Sequence, residues 1–113
     1  MKTYPVPHVL DALGDPTRRA IFEQLGERPS AVVDLADRMP VSRPAVSQHL
    51  KVLKEAGLVR DVQVGTRRVY SLDPDGLEGL RDYLERFWRT ALHSFRTRVE
   101  KENREKEQGE SDE

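Results

Sequence analysis

The sequence contains no cysteine among its 113 residues. Disulfide bonds, thiolate metal sites and cysteine nucleophiles are therefore excluded together, while the redox compartment is left open. Aromatic residues are scarce at 6%, and no apolar run approaches the roughly 18 residues of a membrane-spanning helix. The first residues also lack the unbroken apolar stretch of a signal peptide. We therefore expect a soluble, cytoplasmic protein with no contact to a membrane.

Charge is unevenly distributed along the chain, although the formal net charge is only −1. Residues 42–72 contain six basic side chains against two acidic ones, a net +4, whereas residues 100–113 contain three against seven, a net −4. A basic middle and an acidic end cancel, so the near-neutral total says little about binding partners. We predict one folded domain over residues 1–104, followed by a charged, disordered tail over residues 105–113.

Capping and breaking residues divide the first half of the chain into four predicted helices. Pro16 and Pro44 are acceptable because each lies in a first helical turn, where backbone N–H groups have no helical partner. The expected caps and stops are, in chain order, Gly14, Asp15, Gly26, Ser30, Pro40, Ser42 and Gly57.

The second half of the chain predicts a β-hairpin and a long helix. Residues 58–72 are rich in valine and surround Gly65, a pattern typical of two antiparallel strands around a turn. Helix resumes at Asp73 and Pro74. The predicted fold is mainly α with a small β-hairpin, in the order αααα-ββ-α, which is a winged helix-turn-helix.

The long helix has an apolar stripe at steps of three and four residues. Its aromatic side chains would form a large exposed patch on a small domain. The stripe can pack on its own domain, but we favour a two-fold interface with a second copy, since core material is scarce in so short a chain. The predicted interface comprises Val9, Leu10, Leu80, Leu84, Phe87, Trp88, Ala91 and Phe95, with Tyr4, Val6 and Leu13 as further candidates from the first segment.

Residues 42–56 combine a buried stripe of Val46, Leu50 and Leu53 with polar residues between them. A helix of this kind fits the major groove of duplex DNA, where arginine can bond a guanine and glutamine can pair with an adenine. Basic residues beside Gly65 can reach the DNA backbone or the minor groove. The predicted DNA-contacting residues are Ser42, Arg43, Pro44, Ser47, Gln48, His49 and Lys51 of the helix, and Thr66, Arg67 and Arg68 of the hairpin.

Three segments, LGDPTRRAIFEQL, VSRPAVSQHLKVLKEAGLV and VGTRRVYSL, together resemble the ArsR/SmtB-type transcriptional regulators. The resemblance extends from about Leu10 to Leu72. It implies a homodimeric winged-helix repressor that binds an imperfect palindrome near a promoter, often its own.

Metal sensing, which many members of that family perform, is not expected in this chain. Ala31 and Val33 stand where one family site has its two cysteines, and Tyr83 and Leu84 follow Asp82 where another requires a histidine. These side chains cannot replace the missing ligands. We predict no metal and no other cofactor, and the sequence identifies no small-molecule effector.

Two other functions, a protein–protein interaction module and an enzyme, are alternatives to DNA binding. A winged helix used only for protein–protein contact would have an apolar outer face on residues 42–56, which the polar residues there argue against. An enzyme is not expected, because the sequence has no nucleophile elbow, phosphate-binding glycine loop, metal-ligand cluster or paired carboxylates. We therefore predict no catalytic residues.

Overall fold

The computed structural model describes the backbone of residues 6–111 and the side chains of residues 8–109. A first compact unit ends at Leu80, and a second begins at Arg81. The elements, in chain order, are α1 (Val6–Gly14), α2 (Pro16–Glu27), β1 (Ser30–Ala31), α3 (Val32–Arg38), α4 (Arg43–Glu55), β2 (Val59–Val64), β3 (Arg67–Leu72) and α5 (Pro74–Ser111). The predicted four helices, hairpin and long helix are confirmed.

The N-termini of α2 and α4 are capped as the sequence predicts. The side chain of Asp15 accepts a hydrogen bond of 2.9 Å from the backbone N–H of Arg18, and that of Ser42 accepts one of 3.3 Å from Ala45. Each of these hydrogen bonds satisfies a backbone N–H group that has no acceptor within its own helix. The expected stop of α2 at Gly26 is off by one residue, since the helix ends at Glu27.

The core of the first unit lies between α1, α2, α3 and α4 and the start of β2. The stripe of Val46, Leu50 and Leu53 is fully buried, as predicted. Side chains of this size contribute about 1.5–3 kcal/mol each on full burial. The other core residues are Val9, Ala12, Ile21, Leu25, Leu35, Ala56, Leu58 and Val59.

The sheet has three strands, one more than predicted. β3 lies between β1 and β2 and is antiparallel to both. Ser30 pairs with Tyr70 in the additional strand, so it is not the predicted cap of α3, which begins after Ala31 without a side-chain cap. The Ser30 hydroxyl instead donates to the Arg28 carbonyl and accepts from Arg38. The sequence does not predict β1, because a strand of two residues has no detectable hydrophobic period and its partner strand lies 40 residues away.

The long helix begins at Pro74, as predicted, and ends at Ser111. It includes residues 105–111 of the segment for which we predict a charged, disordered tail. Glutamate, lysine and glutamine are good helix formers, and this local preference is independent of hydrophobic content. Asp112 and Glu113 lie outside the described residues.

The first turn of α5 packs against the end of α4 at a pair of glycines. Gly57 has a φ of +80°, the left-handed conformation common where helices end. A Cβ added to Gly76 would lie 1.8 Å from the Gly57 carbonyl oxygen. Gly76 therefore permits a backbone-to-backbone approach that any side chain would block, and this approach holds the first turn of α5 against the residues that follow α4.

We expect Gly76→Ala to lower the free energy of unfolding by about 1–3 kcal/mol, because a backbone atom cannot move aside as a flexible side chain can. Gly79→Ala is the matched control in the same helix. Its Cβ meets no atom within 4 Å, so it should raise stability by up to about 1 kcal/mol. Urea unfolding followed by circular dichroism, at one fixed protein concentration, measures both. Equal midpoints for the two variants would contradict this account of Gly76.

Candidate nucleic-acid interface

The outer face of α4 is polar and exposed along its first two turns. Among the residues predicted to contact DNA, those exposed here are Ser42, Arg43, Pro44, Ser47, Gln48 and Lys51. The buried stripe on the opposite face fixes the rotation of the helix, so these side chains point away from the core. Arg43, Gln48 and Lys51 form no hydrogen bond or ion pair with the part of the chain that the structure describes. Their donors are free for an external acceptor.

His49 differs from its neighbours on α4. Its side chain is half-buried, and it lies close enough to Asp15 to contribute to the lowered pKa of that carboxyl. The main cause of the lowered pKa is the Arg18 backbone N–H at the start of α2, with His49 as a smaller one. His49 therefore faces the start of α2 in part, and base reading by it is less well supported than base reading by Arg43 or Gln48.

We use the term wing for residues 59–72, the hairpin formed by β2 and β3. Gly65, with φ +62°, and Thr66 form its tip between the paired residues Val64 and Arg67. Thr66, Arg67 and Arg68 are all exposed, as a DNA-contacting wing requires. Both arginines, however, form ion pairs within the protein, each with a different acidic residue.

Arg68 and Lys54 share the carboxylate of Asp61. The Lys54 Nζ lies 2.7 Å from Asp61 Oδ1, and the Arg68 guanidinium bonds the other oxygen. The Asp61 side chain is only 6% exposed, whereas both cations are more than half exposed. Hydrogen bonds from Lys54 and then Arg68 lower the pKa of this carboxyl. These three residues form a cluster that joins α4 to both strands of the wing. The sequence alone does not predict this cluster.

Arg67 pairs with Asp34 of α3. Its Nη2 lies 2.8 Å from Asp34 Oδ2, and both side chains are about half exposed. This contact joins the wing to the helix that precedes α4. The sequence predicts Arg67 as a DNA contact but does not predict its pairing with Asp34, because the two residues are 33 positions apart.

The predicted interface stripe on α5 is largely exposed. Phe87, Trp88 and Phe95 each expose at least 60% of their surface, and Leu84 and Ala91 are also exposed. Tyr83 and Phe87 stack with their ring centroids 6.4 Å apart. So many large apolar side chains on one helix face are unusual for a surface that stays in water.

The other predicted interface residues differ in their exposure to solvent. Leu10 is 44% exposed, as an interface residue should be, but Val9 is buried in the core and has little surface to offer a second copy. Leu13 and Leu80 are partly buried and pack against the same core. Tyr4 and the side chain of Val6 lie outside the described residues. Val9 and Ala12 of α1 face the core, whereas Leu10 and Asp11 between them are exposed. The short apolar segment did not reveal this division.

The described helices include none that is long and apolar enough to cross a membrane. Over the same residues, no group of three or more histidine, aspartate or glutamate side chains is arranged to hold a metal ion.

An anchored helix with a free polar face, preceded by a short helix and followed by a basic β-hairpin, defines a winged helix-turn-helix protein of the DNA-binding class. A helix-turn-helix domain family matches residues 13–62. The chain is 56% identical over 103 residues to the HTH-type transcriptional regulator Rv2034 of Mycobacterium tuberculosis, covering 90% of this chain and 96% of that protein.

Two further proteins are similar over most of the chain. The transcriptional repressor SdpR of Bacillus subtilis is 32% identical over 80 residues, which cover 71% of this chain and 89% of SdpR. The solution structure of the homodimeric winged helix-turn-helix domain Mb0332 from Mycobacterium bovis, a possible ArsR-family regulator, matches with a TM-score of 0.62 and 26% identity, covering 77% and 81% of the two chains. The chain belongs to the ArsR/SmtB-type family of transcriptional regulators, which are not enzymes.

We expect Asp61→Asn to lower the free energy of unfolding at pH 7 by about 1–3 kcal/mol, since two cations lose their shared anion but remain accessible to water. Because the pKa of Asp61 is lowered in the folded state, its contribution is present at neutral pH and is lost as the pH falls below the ordinary value of about 3.9. The difference from the unsubstituted protein should therefore shrink at pH 3.

Asp37→Asn is the control for this charge change, because Asp37 is exposed and forms no ion pair with the described residues. Chemical unfolding at pH 7 and at pH 3 measures the free energy of unfolding of the unsubstituted protein and of both variants. A loss of stability in Asp61→Asn that is as large at pH 3 as at pH 7 would show that the ion pairs are not its cause.

Proposed function

We propose that this regulator is a homodimeric repressor that binds a palindromic operator through residues 42–56 and the wing. The observation that carries the proposal is the exposed polar face of α4, on which Arg43, Gln48 and Lys51 have no partner among the described residues and which a fully buried stripe holds outward. A regulator of transcription acts on chromosomal DNA, and the proposed location is therefore the cytoplasm.

In this proposal α4 reads bases in the major groove. Arg43 in the first turn can donate two hydrogen bonds to a guanine, and Gln48 one turn later can pair with an adenine. Ser42, Pro44 and Ser47 lie beside them, where a hydroxyl or a backbone group can contact sugar or phosphate. Lys51 lies further along the helix and is suited to a phosphate. The first N–H groups of α4 add attraction for a phosphate at the same end.

The wing supplies backbone contacts. Thr66 at the tip and Arg67 beside it are exposed, so they can approach phosphate or the minor groove. Arg68 is bonded to Asp61 through one nitrogen, and the rest of its guanidinium is exposed. It can therefore donate to a phosphate while it stays attached to the domain, as a more rigid contact than Arg67.

A second copy covers the apolar stripe of α5. The exposed aromatic residues support this, since burying them against an identical stripe removes a large apolar surface from water. The Mycobacterium bovis neighbour, which is named as homodimeric, supports it as well. Two α4 helices in such a dimer would address half-sites about one helical turn of DNA apart, or a multiple of that distance.

Repression follows from occupancy of a promoter, because a dimer on the operator blocks the polymerase there. The similar SdpR protein is named as a repressor, which supports this direction over activation. We further propose that the operator includes the promoter of the protein's own gene. The alternative of a pure protein–protein module is disfavoured, because the exposed face of α4 carries arginine, glutamine and lysine rather than an apolar patch.

We expect Arg43→Ala to cost about 1–3 kcal/mol of binding free energy per half-site and to relax the sequence preference at one base position. Fluorescence anisotropy with duplex DNA from upstream of the gene, and with a shuffled duplex of equal length, measures both effects across a salt series. Arg67→Ala serves as the contrast, because it should weaken binding to both duplexes alike. Unchanged affinity and preference in Arg43→Ala would remove Arg43 from the base-reading residues.

We expect Phe95→Glu to convert a dimer of 13.0 kDa chains into monomers, because it places a charge in the apolar stripe. His93→Glu is the control: it adds a carboxylate to the same helix, nine residues beyond Leu84, where the helical period puts it on the opposite face. Sedimentation equilibrium gives the mass of each. A monomeric unsubstituted protein, or a dimer that survives Phe95→Glu, would contradict the proposed interface.

A further inference from the structure

The two wing arginines are held by their acids in different ways. Arg68 bonds a carboxylate that is 6% exposed and is shared with Lys54. Arg67 bonds Asp34 through one nitrogen, and the two side chains are 53% and 47% exposed. The first pair is part of the packing of the domain. The second is a surface ion pair, of a kind that contributes little to stability and exchanges partners readily.

The Asp34 carboxylate occupies the position at Arg67 that a DNA phosphate would need. Both are anionic oxygen acceptors for the same guanidinium donors. The Asp34–Arg67 pair connects α3 to β3, the strand that leaves the wing tip. We propose that Asp34 limits the affinity of this protein for DNA by competing with the phosphate backbone for Arg67. This inference rests on the proposed role of Arg67 as a backbone contact.

Competition follows from charge as well as from geometry. When Arg67 transfers to a phosphate, Asp34 loses its only side-chain partner among the described residues. If Arg67 bridged both groups instead, it would bring a carboxylate close to a phosphate of the same sign. Each arrangement costs binding free energy, and removing the carboxylate charge abolishes the cost in both.

The same reasoning predicts a change in salt dependence. Arg67 is already neutralised by Asp34 in the free protein, so its transfer to a phosphate releases a DNA counterion but leaves Asp34 to attract a cation from solution. The net release of counterions is thereby reduced. Without the Asp34 charge, the slope of log affinity against log salt should steepen by up to about 0.9 per protomer.

We expect Asp34→Asn to tighten binding at low salt by about twofold to fivefold, the range that an exposed ion pair supplies. The increase should be the same for the upstream duplex and for the shuffled duplex, because backbone contacts carry no sequence information. Anisotropy titrations over a salt series measure the affinity and the slope, and circular dichroism checks that the variant is folded.

Asp37→Asn is the matched control, since it removes an equal charge from the same helix at an exposed residue without an ion pair among the described residues. It should tighten binding less than Asp34→Asn does. The double variant Asp34→Asn/Arg67→Ala should bind like Arg67→Ala alone, because Asp34 acts only through Arg67.

Three results would overturn the inference: weaker binding by Asp34→Asn, equal tightening by Asp37→Asn, or an effect of Asp34→Asn that persists without Arg67. These are distinct from failure of the proposed function. If Arg67→Ala binds as tightly as the unsubstituted protein, the backbone role of Arg67 is wrong and this inference falls with it. If the unsubstituted protein binds neither duplex at low salt, DNA binding itself is contradicted.

Discussion

The burial of Val46, Leu50 and Leu53 is the constraint on which the rest of the molecule depends. These three side chains are fully buried on one face of α4, and their burial sets the rotation of the helix about its axis. A helix has one rotation that buries such a stripe, so the same packing determines that Arg43, Gln48 and Lys51 face outward. The orientation of the face proposed to read DNA is thus a consequence of core packing, and no separate interaction is needed to set it.

The Asp61 cluster extends this constraint to the wing. A hairpin of two strands is marginally stable alone, and here β1 on one side of β3 and the Asp61–Lys54 pair on the other attach it to the domain. The cluster ties the wing to the last turn of α4, so the helix and the hairpin keep one relative position. The two surfaces proposed to contact one DNA duplex are thereby aligned before binding, which reduces the ordering cost at that step.

Local signals predicted much of this fold, and non-local pairings account for what they missed. Asp15, Ser42 and Gly65 were identified correctly because a cap or a turn depends on residues within a few positions. Ser30 was misassigned because its partner Tyr70 is distant in sequence, and Asp61 was missed for a similar reason: its pairing with Arg68 depends on the hairpin register. Residues 105–111 are helical in agreement with their helix propensity, and the disorder that their composition indicates stays a prediction.

The basic residues of this surface also differ in whether an acidic residue holds them, and a count of charges does not show this difference. Residues 42–72 contain six cations. In the structure Asp61 holds Lys54 and Arg68, and Asp34 pairs with Arg67, whereas Arg43, Lys51 and Arg60 have no ion-pair partner among the described residues. A phosphate meets an unpaired cation at no internal cost and a paired one only by exchange or by sharing. In the proposed complex, the affinity of this surface for DNA therefore depends on the acids that hold its arginines as much as on the number of arginines.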